Sequence, residues 1–242
     1  MRVLKTGRGT VLIAAGMWFW FLVPAAAEEL WTQAAAYAAK TVELEAKTVE
    51  IRTWELDKQR AIRSESRMLF MQGPEGSITL RMAEEDGEPV SSAELQRMQR
   101  RMEKISYGSE REEVSPFAPD VQQRITYRRT NQTAVKDGRS CDEFRFTFAD
   151  TDDKGKEILY RGKAWVERQS GLPVAVRYTL DPLPAPLSSF QAEQNYGYGE
   201  TERWLLRSSV IEAKVRLLFV RKHFLTETLY SDYAPKRASA TP

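Results

Sequence analysis

One histidine and one cysteine in 242 residues leave little for nucleophilic or metal chemistry to start from. The histidine, His223, sits in the strand-like run VRKHFL (Val220 to Leu225) with basic neighbours. A nucleophile–base–orienter triad needs an imidazole held by a carboxylate. The local sequence offers none, so His223 reads as a sheet-surface residue. The single thiol, Cys141, cannot form an intrachain bridge, and no CxxC or Cys/His spacing accompanies it. Followed by the alternating run DEFRFTF, it reads as a small buried hydrophobe. Asp150, Asp152, Asp153 and Glu157 lack the spacing of a calcium loop and read as a solvated turn, as do Glu84, Glu85 and Asp86. Tyr196-Gly197-Tyr198-Gly199 has its glycines at the wrong spacing for a phosphate cradle, and no Lys-Ser/Thr follows. The expectation is therefore a protein with no catalytic residues, no metal and no cofactor. The residues left to do the work are aromatic and aliphatic, placed at every second position.

Elements must position those side chains, and the N-terminal segment is not among them. Arg2, Lys5 and Arg8 precede an apolar run from Val11 to Val23, and Pro24-Ala25-Ala26-Ala27 then supplies small residues. That is the layout of a secretory signal peptide spanning residues 1–27, with cleavage expected between Ala27 and Glu28. The apolar run is shorter than the roughly 20 residues that span a bilayer. Removing this segment takes away three of the 36 Lys+Arg and none of the 34 Asp+Glu, which leaves a formal charge of −1. A near-neutral chain with interspersed signs lacks the basic face that nucleic acid requires. A monomer is expected.

Beyond the cut, LWTQAAAYAAKTVELEA predicts one helix from Leu30, with Leu30, Ala34, Tyr37, Ala38 and Val42 near helical spacing. Alternating runs then predict strands at Thr48–Leu56, Ser66–Gln72 and Ser77–Met82, joined at turn signals such as Asp86-Gly87. SAELQRMQRRMEKI (Ser92 to Ile105) predicts a second, very polar helix, whose narrow apolar stripe is Leu95, Met98, Met102 and Ile105. It reads either as a helix packed at the sheet edge or as a movable lid over an apolar face. SPFAPD (Ser115 to Asp120) reads as a linker. Strands follow at Val121–Arg129, Phe144–Phe148, Ile158–Arg168, Pro173–Leu180, Phe190–Tyr198, Trp204–Phe219 and Phe224–Tyr233, with a polar, disordered tail over 234–242.

These elements make an α+β domain over 28–233, built on a curled antiparallel sheet of about nine to eleven strands. One long sheet with one dry face must curl, so an unclosed half-barrel is the expected shape. The dry face is expected to carry Phe144, Phe146 and Phe148, then Tyr160 and Val166, then Val174, Val176 and Tyr178. Two helices are few for so wide a face, which leaves room for an apolar ligand against it.

The stretch GKAWVERQSGLPVAVRY (Gly162 to Tyr178), the following Pro182-Leu183-Pro184, and Leu218-Phe219 with Tyr230-Ser231-Asp232-Tyr233 resemble the LolA-like superfamily. This is the group of lipoprotein-sorting-like periplasmic proteins typified by LolA, LolB and RseB. The resemblance covers roughly residues 117–233. It implies an unclosed antiparallel barrel whose apolar concave side, capped by helices, receives acyl chains or lipids in the periplasm. The function it implies is that of a non-enzymatic binding or carrier protein. An envelope sensor that meets a membrane-associated protein partner, in the manner of RseB, is the alternative.

Overall fold

The computed structural model describes residues 22–73, 77–104, 114–151, 155–199, 203–217 and 220–236. Residues 1–21 of the expected signal segment, Ile105, Asp152, Asp153, Leu218, Phe219 and the tail from 237 lie outside them, as do the side chains of 22–27, 102–104 (including Met102) and 217. Thirteen elements follow one another: α1 (Leu22–Thr41), β1 (Leu44–Leu56), β2 (Ile62–Gln72), β3 (Ile78–Glu85), β4 (Glu88–Pro89), α2 (Ser92–Lys104), β5 (Thr126–Lys136), β6 (Arg139–Thr151), β7 (Glu157–Glu167), β8 (Pro173–Asp181), β9 (Leu187–Tyr198), β10 (Trp204–Leu217) and β11 (Val220–Pro235). The fold is α+β. All eleven strands form one antiparallel sheet in the order β4-β3-β2-β1-β11-β10-β9-β8-β7-β6-β5. The two ends of that list do not pair, so the curled sheet is an unclosed half-barrel, as expected.

Several boundaries differ from the sequence reading, each for a physical reason. The first helix runs from Leu22 through the expected cleavage point and stops at Thr41. Leu44, Glu45 and Ala46 belong to β1 instead, because they pair with Pro235, Ala234 and Tyr233. That pairing also draws Ala234 and Pro235 into β11 rather than into a tail. Residues 116–124 are not a linker and strand start but a run of tight turns, closed by bonds from the Val121 and Gln122 amides to the Ala118 carbonyl. The cap of α2 is Ser91, whose hydroxyl accepts from the Glu94 amide at 3.2 Å. Among the described residues, no helix is long and apolar enough to cross a membrane.

Register assigns the two faces. Phe144, Phe146 and Phe148 of β6 stand opposite Ala164, Gly162 and Tyr160 of β7, and Gly162 and Ala164 stand opposite Tyr178 and Val176 of β8. The same face continues through Ala192 and Gln194 of β9 to Ile211 and Ser209 of β10. It then passes Thr226 and Thr228 of β11, reaches Thr53 and Ile51 of β1, and ends at Met68 and Phe70 of β2. Both helices lie on this face. Beneath α1 are Phe144, Phe146, Phe148, Ala164, Val166 and Val176; beneath α2 are Phe70, Leu80 and Ala83. A smaller cluster of Cys141, Trp165, Leu172, Val174, Ala175 and Trp204 closes the end of the sheet beside β7 and β8. Among the described residues, nothing of β11, and nothing of β10 after Trp204, belongs to any buried cluster. The apolar clusters therefore sit on two flanks, and the strands between them bury Leu205, Ser209 and Thr228 outside any cluster.

The free edge at β3 is plugged. The Leu80 amide donates to the Gln99 side-chain oxygen at 2.7 Å, and the Gln99 amide donates back to the Ile78 carbonyl at 3.1 Å. One side chain of α2 thus replaces a neighbouring strand and protects the edge from foreign pairing.

The opposite face of the sheet is a lattice of charged side chains paired mostly between strands. Glu50 receives Arg52 and Arg67, Glu143 receives Lys163, Glu193 receives Lys136 and Arg177, and Glu212 receives Arg60 and His223. Hydrogen bonding from Arg67 holds the Glu50 carboxyl below its ordinary value of 4.5, and Arg60 does the same for Glu212. A carboxylate with a depressed folded-state pKa contributes stability above its ordinary value and loses it as pH falls through the folded value. Thermal stability should therefore drop as pH is lowered from about 5 toward about 3. In the Glu50→Gln/Glu212→Gln variant that slope should be shallower, as read by melting curves across the range. An identical acid slope in the variant would mean that these pairs carry no net stabilisation.

Candidate functional site

The side chains that could meet a ligand start from Phe148. Its ring stacks on Tyr160 at 4.8 Å, Tyr160 tilts against Tyr178 at 5.6 Å, and Tyr178 against Phe190 at 6.0 Å. This row crosses β6, β7, β8 and β9 because each ring projects from the same face at successive register positions. Phe148 is buried, whereas Tyr160, Tyr178 and Phe190 are only half-buried. Past Phe190 the same row reaches Ala213 of β10 and Phe224 of β11.

The row is fixed at its deep end by α1. Trp31 is 1% exposed and stacks on Tyr127 at 4.3 Å, with Phe117 at 4.7 Å and Phe144 at 5.4 Å. Its indole N–H donates to Gln122 at 3.0 Å, and the Gln122 amide donates to the Pro116 carbonyl at 2.6 Å. The turns at 116–124 and the helix thus cover the wall together. Gly162 makes room for the rings on either side of it. A Cβ there would fall 2.7 Å from the Phe146 ring and 2.9 Å from Tyr178 Cβ.

Beyond the row the same concave face, here called the trough, continues over β10, β11 and β1 between the two flanking clusters. Its floor carries Ile211 and Ala213 on β10, Phe224, Thr226 and Thr228 on β11, and Thr53 on β1, with the Thr53 and Thr226 hydroxyls 3.2 Å apart. One mouth is marked by Lys222, which reaches Glu55 at 2.6 Å and lies 5.8 Å from the centre of the Phe224 ring. The surface is apolar beside the aromatic row and hydroxyl-lined toward α2. It can hold an apolar chain and, along one edge, accept or donate hydrogen bonds. Among the described residues it holds no reactive constellation.

Of the eight expected wall residues, Phe144, Phe146, Phe148, Val166 and Val176 are buried in one cluster, and Tyr160 and Tyr178 pack against its rim. Val174 is in the other cluster with Cys141 and Trp165. A bulge sets Trp165 opposite Ala175 but Val166 opposite Pro173, which breaks the alternation that predicted Val174 on the wall. The expected lid residues Leu95 and Met98 pack over the β1–β3 flank, away from the aromatic wall. It is α1, with Trp31, that covers the wall.

His223 does have a carboxylate, though not a local one. Register brings Glu212 across from β10, 2.8 Å from its Nε2. Among the described residues, no serine, threonine or cysteine bonds to that imidazole, so the pair belongs to the ion-pair lattice. Cys141 is fully buried, its thiol contacts the Arg139 carbonyl at 3.4 Å, and burial pushes its pKa up. Asp150 pairs with Arg124 at 3.2 Å. Among the described residues, no three His, Cys, Asp or Glu side chains gather as a metal site. Sequence reasoning missed Trp31, Phe117 and Phe190. It also missed buried Asp142, held by Arg129 at 2.6 Å and Arg168 at 2.8 Å.

No protein-family model matches the chain, and no curated protein matches it. Among solved structures, a DUF1329 family protein from Desulfovibrio piger aligns over 88% of this chain and 94% of its own, at 11% identity and a TM-score of 0.39. MucB in the Pseudomonas aeruginosa MucA/MucB complex aligns over 88% of this chain and 100% of its own, at 10% identity and a TM-score of 0.25. Likeness this distant carries no argument about what the chain binds.

Proposed function

We propose that this protein is a non-enzymatic binding module of the cell envelope, acting in the periplasm, that seats a lipid-like ligand in the trough between its two half-cores. The supporting observation is the aromatic row that runs from packed Phe148 to half-exposed Tyr160, Tyr178 and Phe190 and opens onto β10 and β11. In a finished core such a row ends under cover. Here it continues onto Ala213 of β10 and Phe224 of β11, which no buried cluster includes. Tyr160 and Tyr178 meet the acyl chain, and the buried wall residues hold the rings in place. The periplasmic address rests on the basic start, apolar run and small-residue end of residues 1–27.

Ala213 offers a clean test, because it lies on the trough floor between Phe190 and Phe224 in register. Native mass spectrometry of protein taken from membrane extracts should show a co-purifying fatty acid or phospholipid on the wild type. Ala213→Trp should lose it, with a melting temperature within a few degrees of wild type because the position lies outside the buried clusters. Lipid retained by the variant would place the ligand elsewhere. A lipid-free wild-type mass bearing a captured polypeptide would favour an envelope sensor with a protein partner.

A further inference from the structure

The middle of the concave face carries hydroxyls that the fold does not use for itself. Gln194, Ser209 and Thr228 are successive register partners on β9, β10 and β11, and they are 1%, 3% and 9% exposed. Gln194 is engaged: its side-chain amide donates to the Val114 carbonyl at 3.2 Å, and its oxygen accepts from the Tyr196 hydroxyl at 3.1 Å. Among the described residues, the Ser209 and Thr228 hydroxyls have no hydrogen-bond partner. Neither oxygen is sealed in, so both stay open to the concave face. The patch continues along that face. Thr226 follows Thr228 on β11 and stands opposite Thr53 of β1, and Thr53 stands opposite Ser66 of β2. The charged groups bordering it on this face are Glu55 and Lys222, which pair at 2.6 Å, and Glu85, opposite Ser66.

A buried hydroxyl without a partner costs stability, whereas an apolar group of the same shape would not. Choices that cost local stability without a packing return mark function. We propose that this patch is a subsite for an uncharged oxygen of the ligand, an ester or a hydroxyl, whose acyl chain lies along the aromatic row. The subsite rests on the apolar seat proposed above and adds what the ligand must carry. Serine and threonine hydroxyls both donate and accept, so Ser209 and Thr228 can serve an ester carbonyl or a hydroxyl. A carboxylate or phosphate would meet no cation on the patch among the described residues, and would lie near Glu55 and Glu85. Free fatty acid is therefore the poorer ligand. The spacing suits one molecule: Phe224 and Thr226 are two residues apart on a strand, about 7 Å, so chain and oxygen reach both.

Displacement of diphenylhexatriene, a fluorescent hydrocarbon, from the purified protein tests this. Methyl dodecanoate and dodecanol should displace it at concentrations about fivefold or more below those needed with dodecanoate, whose charge finds no partner. The more effective of the two tells an ester from a hydroxyl. Ser209→Ala/Thr228→Val should raise the concentration needed of that compound, relative to the diphenylhexatriene dissociation constant, about tenfold, from the loss of two hydrogen bonds. Its melting temperature should be no lower than wild type, since two unpartnered hydroxyls have been removed. A ratio that stays within about twofold in the variant would overturn the subsite alone, because no hydrogen bond was lost. Dodecanoate displacing the probe as well as the uncharged compounds would do the same. Failure of diphenylhexatriene to bind at all would instead overturn the apolar seat, and the subsite with it.

Discussion

Replacing Trp31 with alanine is expected to cost about 3–5 kcal/mol and to lower the melting temperature by on the order of 10 °C. The indole is 1% exposed and touches Tyr127, Phe117, Phe144 and Phe146, so its removal leaves a hole walled by rings on three elements. Those rings are anchored in β5, β6 and the 116–124 turns, and they cannot collapse into the space without leaving their strands. Truncation also takes away the N–H that donates to Gln122, the residue that ties the turns together through Pro116. Trp31→Phe should recover part of the loss because it refills volume but not the hydrogen bond. Melting curves followed by circular dichroism give the answer. A loss under about 1 kcal/mol would mean that α1 is not docked on the sheet.

Gly162→Ala should be as damaging, and its sign is the informative part. Glycine inside a strand ordinarily costs about 0.5–1 kcal/mol relative to alanine, so a free site would gain from the change. At Gly162 the new methyl would lie 2.2 Å from the Arg177 carbonyl oxygen, in addition to crowding Phe146 and Tyr178. A side chain can swing away, but that carbonyl belongs to the strand paired with Gly162's own. The methyl therefore has to separate β7 from β8 or push two rings out of the core. The expected cost is about 3 kcal/mol or more, read from the denaturant midpoint. A neutral or stabilised variant would contradict the placement of Phe146 and Tyr178 across the glycine.

The parts of this fold that depend on neighbouring residues were legible in the sequence. Period-two runs located the strands, and the three phenylalanines of β6 lie on the face that alternation assigned to them. The parts that depend on distant residues were not. In LWTQAAAYAA alanine occupies every side of the helix, so the pattern has little contrast. It suggested Tyr37 and Val42 for the inward stripe, yet both are exposed, and Trp31 is the residue that docks. Pro116 and Pro119 signalled a linker at a place where the chain folds tightly back and buries Phe117 and Val121. Val174 was lost to a bulge, which alternation cannot foresee. Glu212 meets His223 only because β10 and β11 adopt one register among several possible. The trough was invisible for the same reason: its floor joins β1 to the β10–β11 hairpin, which the sequence keeps far apart.

The pairing of β1 with β11 has a consequence for the order of events in time. Each flank of the sheet can assemble from segments close together in the chain: β1 to β4 with α2, and β5 to β9 with their turns. Joining them requires the first strand to find the last, a contact of the highest sequence separation the molecule offers, and such contacts set slow folding rates. Until β11 arrives, β1 and β10 are naked edges open to any other strand. A chain emerging N-terminus first, whether from a ribosome or through a membrane pore, must hold that state until residues 220–235 are free. The architecture thus makes maturation an all-or-nothing joining step, and any nick or stall before β11 leaves two adhesive halves instead of one continuous sheet.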